Sequence, residues 1–94
     1  MAKTIWKYGI SFDQKITTIN IPEGGIVRHF DFDNKGQGGP PTIWVEVDPA
    51  APEINRYFAI VGTGHQIPAN ATYINTTLTD EPYVWHLFEI TKVE

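Results

Sequence analysis

Seven short runs of β-branched and aromatic residues, each cut off within a few positions by Gly, Pro, Asn or Asp, constrain this chain more than any other feature. The runs are Thr4–Ile10, Lys15–Ile21, Ile26–Asp33, Thr42–Val47, Arg56–Val61, Thr72–Leu78 and Tyr83–Ile90. Apolar and polar residues alternate along much of them, the period that sends successive side chains to opposite faces of a sheet. The separators Pro22-Glu23-Gly24-Gly25, residues 34–41 and Asp48-Pro49-Ala50-Ala51-Pro52 are made of turn formers. No window of helical length carries an apolar stripe, and Pro49–Asn55, with Pro49 and Pro52, offers a single turn at most. The pattern predicts an all-β chain, a compact antiparallel β-sandwich or partly open barrel of about six to seven short strands.

A length of 94 residues with no composition break or internal repeat implies one domain over 1–94. A chain this size buries roughly 60–65% of its unfolded surface, so its core has little excess. Association into a homo-oligomer would be one way to cover apolar strand faces left over. The seventh run shows where such a surplus lies. Val84, His86, Phe88 and Ile90 alternate with Tyr83, Trp85, Leu87 and Glu89, so both faces carry large apolar groups. That strand is expected to be central in its sheet, or covered on one side by another subunit.

Composition excludes several classes of function. The chain has no cysteine, which removes disulfides, thiolate chemistry and cysteine zinc sites. Eleven acidic against seven basic residues give a net charge of -4, and the basic residues stand singly. General nucleic-acid binding is therefore not expected, because phosphate neutralisation calls for a basic field. No apolar stretch has the length of a membrane span or the form of a signal peptide, so the expected residence is cytoplasmic.

The polar residues offer three sites to weigh. His29, Asp31 and Asp33 share one face of the third run, and Asp48 or Asp13 would complete an oxygen-rich metal site, although alternating acids more often form a solvated face. His86, set in Tyr83-Val84-Trp85-His86-Leu87-Phe88, fits a hydrogen-bonded structural histidine better than a ligand group. The third is Gly62-Thr63-Gly64-His65, which ends an apolar run and precedes Gln66-Ile67-Pro68. Its glycines permit positive φ or close approach of a ligand, and His65 can donate to a phosphate or carbonyl beside backbone N–H groups. Arg56 or Arg28 would add a bidentate contact, and Trp44 is one of several rings able to stack on a ligand or pack on a partner. The stretch lacks the glycine spacing and the Lys-Ser/Thr pair of nucleotide-binding loops, so it implies no cofactor.

The chain resembles a small uncharacterised protein family found mainly in bacteriophage genomes. The residues that carry the resemblance are Lys3-Thr4-Ile5-Trp6-Lys7, Ile21-Pro22-Glu23-Gly24 and Trp44-Val45-Glu46-Val47-Asp48-Pro49, then the segment from Arg56 through Ile60-Val61-Gly62-Thr63-Gly64-His65-Gln66-Ile67-Pro68, and Val84-Trp85-His86-Leu87-Phe88-Glu89. Residues 36–41 depart from the shorter loop of such proteins. The resemblance implies a phage accessory protein acting inside an infected bacterium and supplies no activity. Four functions follow for comparison. The favoured one is a non-catalytic module that binds a host or phage protein near Gly62–Pro68. The others are sequestration of a small nucleotide-like or otherwise anionic ligand, a structural place in the virion, and a small metal-assisted hydrolase using His65 or His86 beside Asp31, Asp33 or Asp48.

Overall fold

A computed structural model of the chain describes residues 2–12, 15–34, 37–79 and 83–91. All seven sequence runs form strands: β1 (Thr4–Gly9), β2 (Thr17–Pro22), β3 (Ile26–Phe32), β4 (Pro41–Val47), β5 (Glu53–Gly62), β6 (Ala71–Leu78) and β7 (Val84–Ile90). They pair antiparallel throughout, in one sheet ordered β1-β4-β3 and a second ordered β2-β5-β7-β6. The two sheets pack as a sandwich and do not close into a barrel. Among the described residues no helix is long and apolar enough to cross a membrane.

The core follows from the alternation. Ile19 and Ile21 of β2, Phe58 of β5 and Leu87 of β7 meet Phe30 of β3 and Ile43, Val45 and Val47 of β4, all buried between the sheets. Strand β7 is central, between β5 and β6, which accounts for its two apolar faces. Leu87 faces the core, whereas register places His86 beside Val61 and Phe88 beside Ala59 on the opposite face. There Ala59, Val61, Phe88 and Ile90 are buried too, and Tyr73 of β6 sets its ring edge-on to Phe88 at 5.7 Å.

Every strand shifts by a residue at one end or more, and two boundaries differ by more than that from the sequence reading. Strand β5 starts at Glu53, because Ile54 and Asn55 pair with Ile21 and Asn20 of β2. The turn before it is closed by the Ala51 N–H donating to the Asp48 carbonyl and the Ala50 N–H to Asp48 Oδ1, each at 3.0 Å. Pro52 then releases the chain into the strand. Strand β2 starts at Thr17, and Lys15 and Ile16 are bends that leave the line of the sheet.

The outer face of the three-stranded sheet carries a charge row. Glu46 accepts from Arg28 Nε at 3.0 Å and lies 3.7 Å from Lys3 Nζ. The Arg28 hydrogen bond, and then the Arg28 charge, hold the Glu46 carboxyl below its ordinary 4.5. A depressed folded value means that the pair contributes stability above the ordinary value and loses it as pH falls through the folded one. Arg28→Gln should therefore return the Glu46 titration, followed by carboxyl NMR, towards 4.5, and leave the unfolding curves at neutral pH nearly superimposable because the pair is exposed. A Glu46 titration that stays depressed without Arg28 would refute that cause.

Candidate functional site

Strand β5 ends where Gly62, Thr63, Gly64 and His65 form a β-turn, with the His65 N–H donating to the Gly62 carbonyl at 3.0 Å. Gly64 occupies the third turn position at φ 91°, where an L side chain would be strained. Gly62 is needed for closeness. A Cβ there would lie 3.0 Å from His65 Nδ1 and 3.1 Å from Trp85 Cζ3, so the imidazole lies directly on the glycine. The turn is tight, and it presents an exposed His65.

Thr63 engages a different histidine. Its Oγ1 is 3.0 Å from His86 Nε2, and His86 Nδ1 is 3.0 Å from Thr76 Oγ1. Thr76 Oγ1 is in turn 2.6 Å from the Tyr73 hydroxyl. The register explains the assembly, because β6 and β7 set Thr76 beside His86 and Tyr73 beside Phe88 on one face. Both His86 ring nitrogens are therefore bonded, as expected of a structural histidine. Nothing in the sequence spacing links Thr63, Thr76 and Tyr73. Only strand pairing brings them together.

Beside the turn a groove of about 580 Å³ runs along β5. It is lined by Ala59, Ile60 and Val61 of β5, by Phe12, Lys15 and Ile16 from the chain ahead of β2, and by the loop His65–Ala69. Ile67 is 57% exposed at its rim, a large apolar side chain in water with room around it. Phe12 is anchored by rings, 5.8 Å from Phe32 and 4.9 Å from Trp85.

The other residues singled out in the sequence lie elsewhere. Arg56 is six positions before Gly62 on β5, about 20 Å away at roughly 3.3 Å per residue. It grips Glu89 with Nε to Oε2 and Nη2 to Oε1, both at 2.7 Å, and donates to the Gly25 carbonyl. Arg28 belongs to the other sheet and is held by Glu46. Trp44 is in that sheet as well, its ring 5.4 Å from His29. The cradle of His65 with an arginine and an aromatic face is not assembled, because cross-strand carboxylates take both guanidinium groups. His29 and Asp31 do approach, at 3.6 Å. Asp33, however, lies past the end of β3 and bonds Lys7 at 2.7 Å, and Asp31 accepts from Thr77 of the facing sheet at 2.7 Å. Among the described residues no three His, Cys, Asp or Glu side chains gather as a metal site, and Asp13 lies outside those residues.

With this geometry in place, comparison with known proteins gives one match. The family model described as "Domain of unknown function (DUF7352)" aligns with residues 1–94. The chain belongs to that family. No curated protein and no solved structure matched it. The family match spans both sheets and the turn, so the groove and the hydroxyl–imidazole chain both lie within the matched domain.

Proposed function

We propose that this DUF7352 domain is a small non-catalytic accessory protein that binds another protein through the groove beside the Gly62–His65 turn. The observation that carries the reading is the groove itself, open, apolar at Phe12, Ile16, Ile67 and Pro68, and edged by the polar groups of His65, Gln66 and Lys15. Exposed apolar side chains set among polar groups are the composition of a recognition surface. In this reading it works in the cytoplasm of an infected bacterium with a host or phage protein as partner, in keeping with the resemblance to phage-encoded proteins.

Two features weigh against ligand sequestration and hydrolysis. Sequestration of a small anion needs convergent cations, and Arg28 and Arg56 are both committed to carboxylates away from the turn. For hydrolysis, the Thr63–His86 pair has a hydroxyl, Thr76, behind the imidazole, where a carboxylate is the group that stabilises an imidazolium. The proposal is tested by native mass spectrometry of the chain after incubation with bacterial lysate. A protein adduct is expected for the natural sequence. His65→Ala should weaken it by about 1–3 kcal/mol, roughly tenfold to a hundredfold in affinity, without moving the unfolding midpoint. An adduct of undiminished affinity in His65→Ala and in Ile67→Glu would place recognition elsewhere, and a retained small molecule would reinstate the ligand reading.

A further inference from the structure

Strand β5 extends over ten residues, yet β2 accompanies it only from Glu53 to Phe58, where Thr17 is the last partner. Ala59 through Gly62 continue against β7 on the other side. Ahead of Thr17 the chain bends away at Lys15 and Ile16, and the groove opens between these residues and β5. Half of one edge of β5 is thus without a strand neighbour among the described residues.

The ladder shows which main-chain groups this leaves. In antiparallel pairing each residue directs both its N–H and its C=O to the same side, and the side alternates along the strand. The Thr63 N–H donates to the Val84 carbonyl at 3.4 Å, so Thr63 faces β7. By alternation Val61 and Ala59 face β7 too, whereas Gly62 and Ile60 face the groove. The Gly62 carbonyl is taken by His65. Among the described residues nothing takes the Ile60 N–H and C=O or the Gly62 N–H, which are directed to where a further strand would stand. Ile60 shares the core-facing side with Leu87 and packs against the core, yet it is only half-buried, as suits a core-facing residue with a groove beside it.

We infer that the free half-edge of β5 is completed by an extended segment of the partner protein, which adds to the four-stranded sheet as a short strand. This rests on the protein-binding reading and specifies its mode. The stretch Ala59–Gly62 has room for about four residues, or roughly 13 Å of strand. Side chains of an added strand alternate between the two faces of the sheet, among the side chains that line the groove. Phe12, Ile16 and Ile67 call for apolar residues, and Lys15 calls for an acidic one. A chain with net charge -4 makes Lys15 a local exception to its own field. A second copy fits less well, since two-fold pairing of this edge with itself would crowd two Lys15 side chains and two His65–Ala69 loops into one groove.

The test combines selection with a residue-level readout. The full chain is panned against a random peptide library, and enriched peptides are synthesised and added to the isotopically labelled chain for amide exchange by NMR. Enrichment of peptides that place Asp or Glu among apolar residues is expected. In the free chain the Ile60 N–H should exchange faster than those of Ala59 and Val61, and saturating peptide should slow it by about tenfold or more. Lys15→Glu should switch the enriched charge from acidic to basic while the exchange pattern of the free chain stays the same. Peptides that bind but leave Ile60 exchange unchanged would overturn strand addition and leave the protein-binding reading standing. Failure to enrich any peptide, or slowing of Ile60 with protein concentration alone, would overturn it too, the latter by assigning the edge to a second copy. The lysate experiment remains the separate test of the broader reading.

Discussion

Alanine in place of Arg56 should destabilise the fold by about 2–3 kcal/mol, the value for breaking a largely buried ion pair reduced for its residual solvent contact. The Arg56 and Glu89 side chains are 16% and 20% exposed and joined by two parallel bonds of 2.7 Å. Arg56 also satisfies the Gly25 carbonyl and lies 5.8 Å over the Phe58 ring. Truncation leaves a half-buried carboxylate and a carbonyl without their donor, and uncovers part of a core aromatic. At roughly 4–8 °C per kcal/mol for a domain of this size, the thermal midpoint should fall by about 10–20 °C. Arg56→Lys keeps the charge but loses the fork, so its loss should be smaller, and Arg56→Met with Glu89→Leu should recover part of it. Thermal unfolding of the four chains checks the order. A shift below about 4 °C for Arg56→Ala would mean that the pair is effectively solvated.

Gly39→Ala should be the second severe change, costing about 2–4 kcal/mol through forced movement of backbone. A Cβ on Gly39 would fall on the carbonyl oxygen of Asp33 and within 3.3 Å of Asn34 Cβ. This is the base of the β3–β4 connection, where the Asp33 N–H donates to the Pro40 carbonyl at 2.9 Å and Asp33 Oδ2 receives Lys7 Nζ. The neighbouring glycine supplies a control. Gly38 has φ 77° but nothing within 4 Å of its Cβ position, so Gly38→Ala should cost only the left-handed strain of about 1–2 kcal/mol. Gly9 has neither constraint, and Gly9→Ala should be near neutral. Denaturant midpoints for the three variants give the comparison. Equal losses at Gly38 and Gly39 would show that the close approach does not fix the loop.

Alternation alone located every strand, because side-chain period and turn residues are local properties. The two apolar faces of β7 pointed to a central strand or to cover by another subunit, and the strand is central. The sheet order and the register are not legible in local sequence, and the side-chain groupings around the site depend on them. Arg56 looked available in the sequence because Glu89, far along the chain, becomes its neighbour only once β5 and β7 pair. His65 lies two positions from Thr63 in sequence, whereas the histidine that Thr63 bonds, His86, arrives on β7. Thr76 and Tyr73 gave no local signal at all. The groove is hidden in the sequence for a related reason. It exists because β2 stops pairing at Thr17 while β5 continues to Gly62, a mismatch of strand lengths that no single segment reveals. The turn could be read in advance because Gly62, Gly64 and His65 act within a few residues of one another.

Site-specific photocrosslinking in bacterial lysate tests the central claim most directly. A photoreactive residue replaces Ile67 at the groove rim in one sample, and in another it replaces Ile5, comparably exposed at 49% on the outer face of the other sheet. A groove that recognises protein should give a discrete covalent adduct from position 67 and none of matching yield from position 5, and excess unmodified chain should compete it away. Adducts of equal yield from both positions, or from position 5 alone, would contradict recognition at the groove.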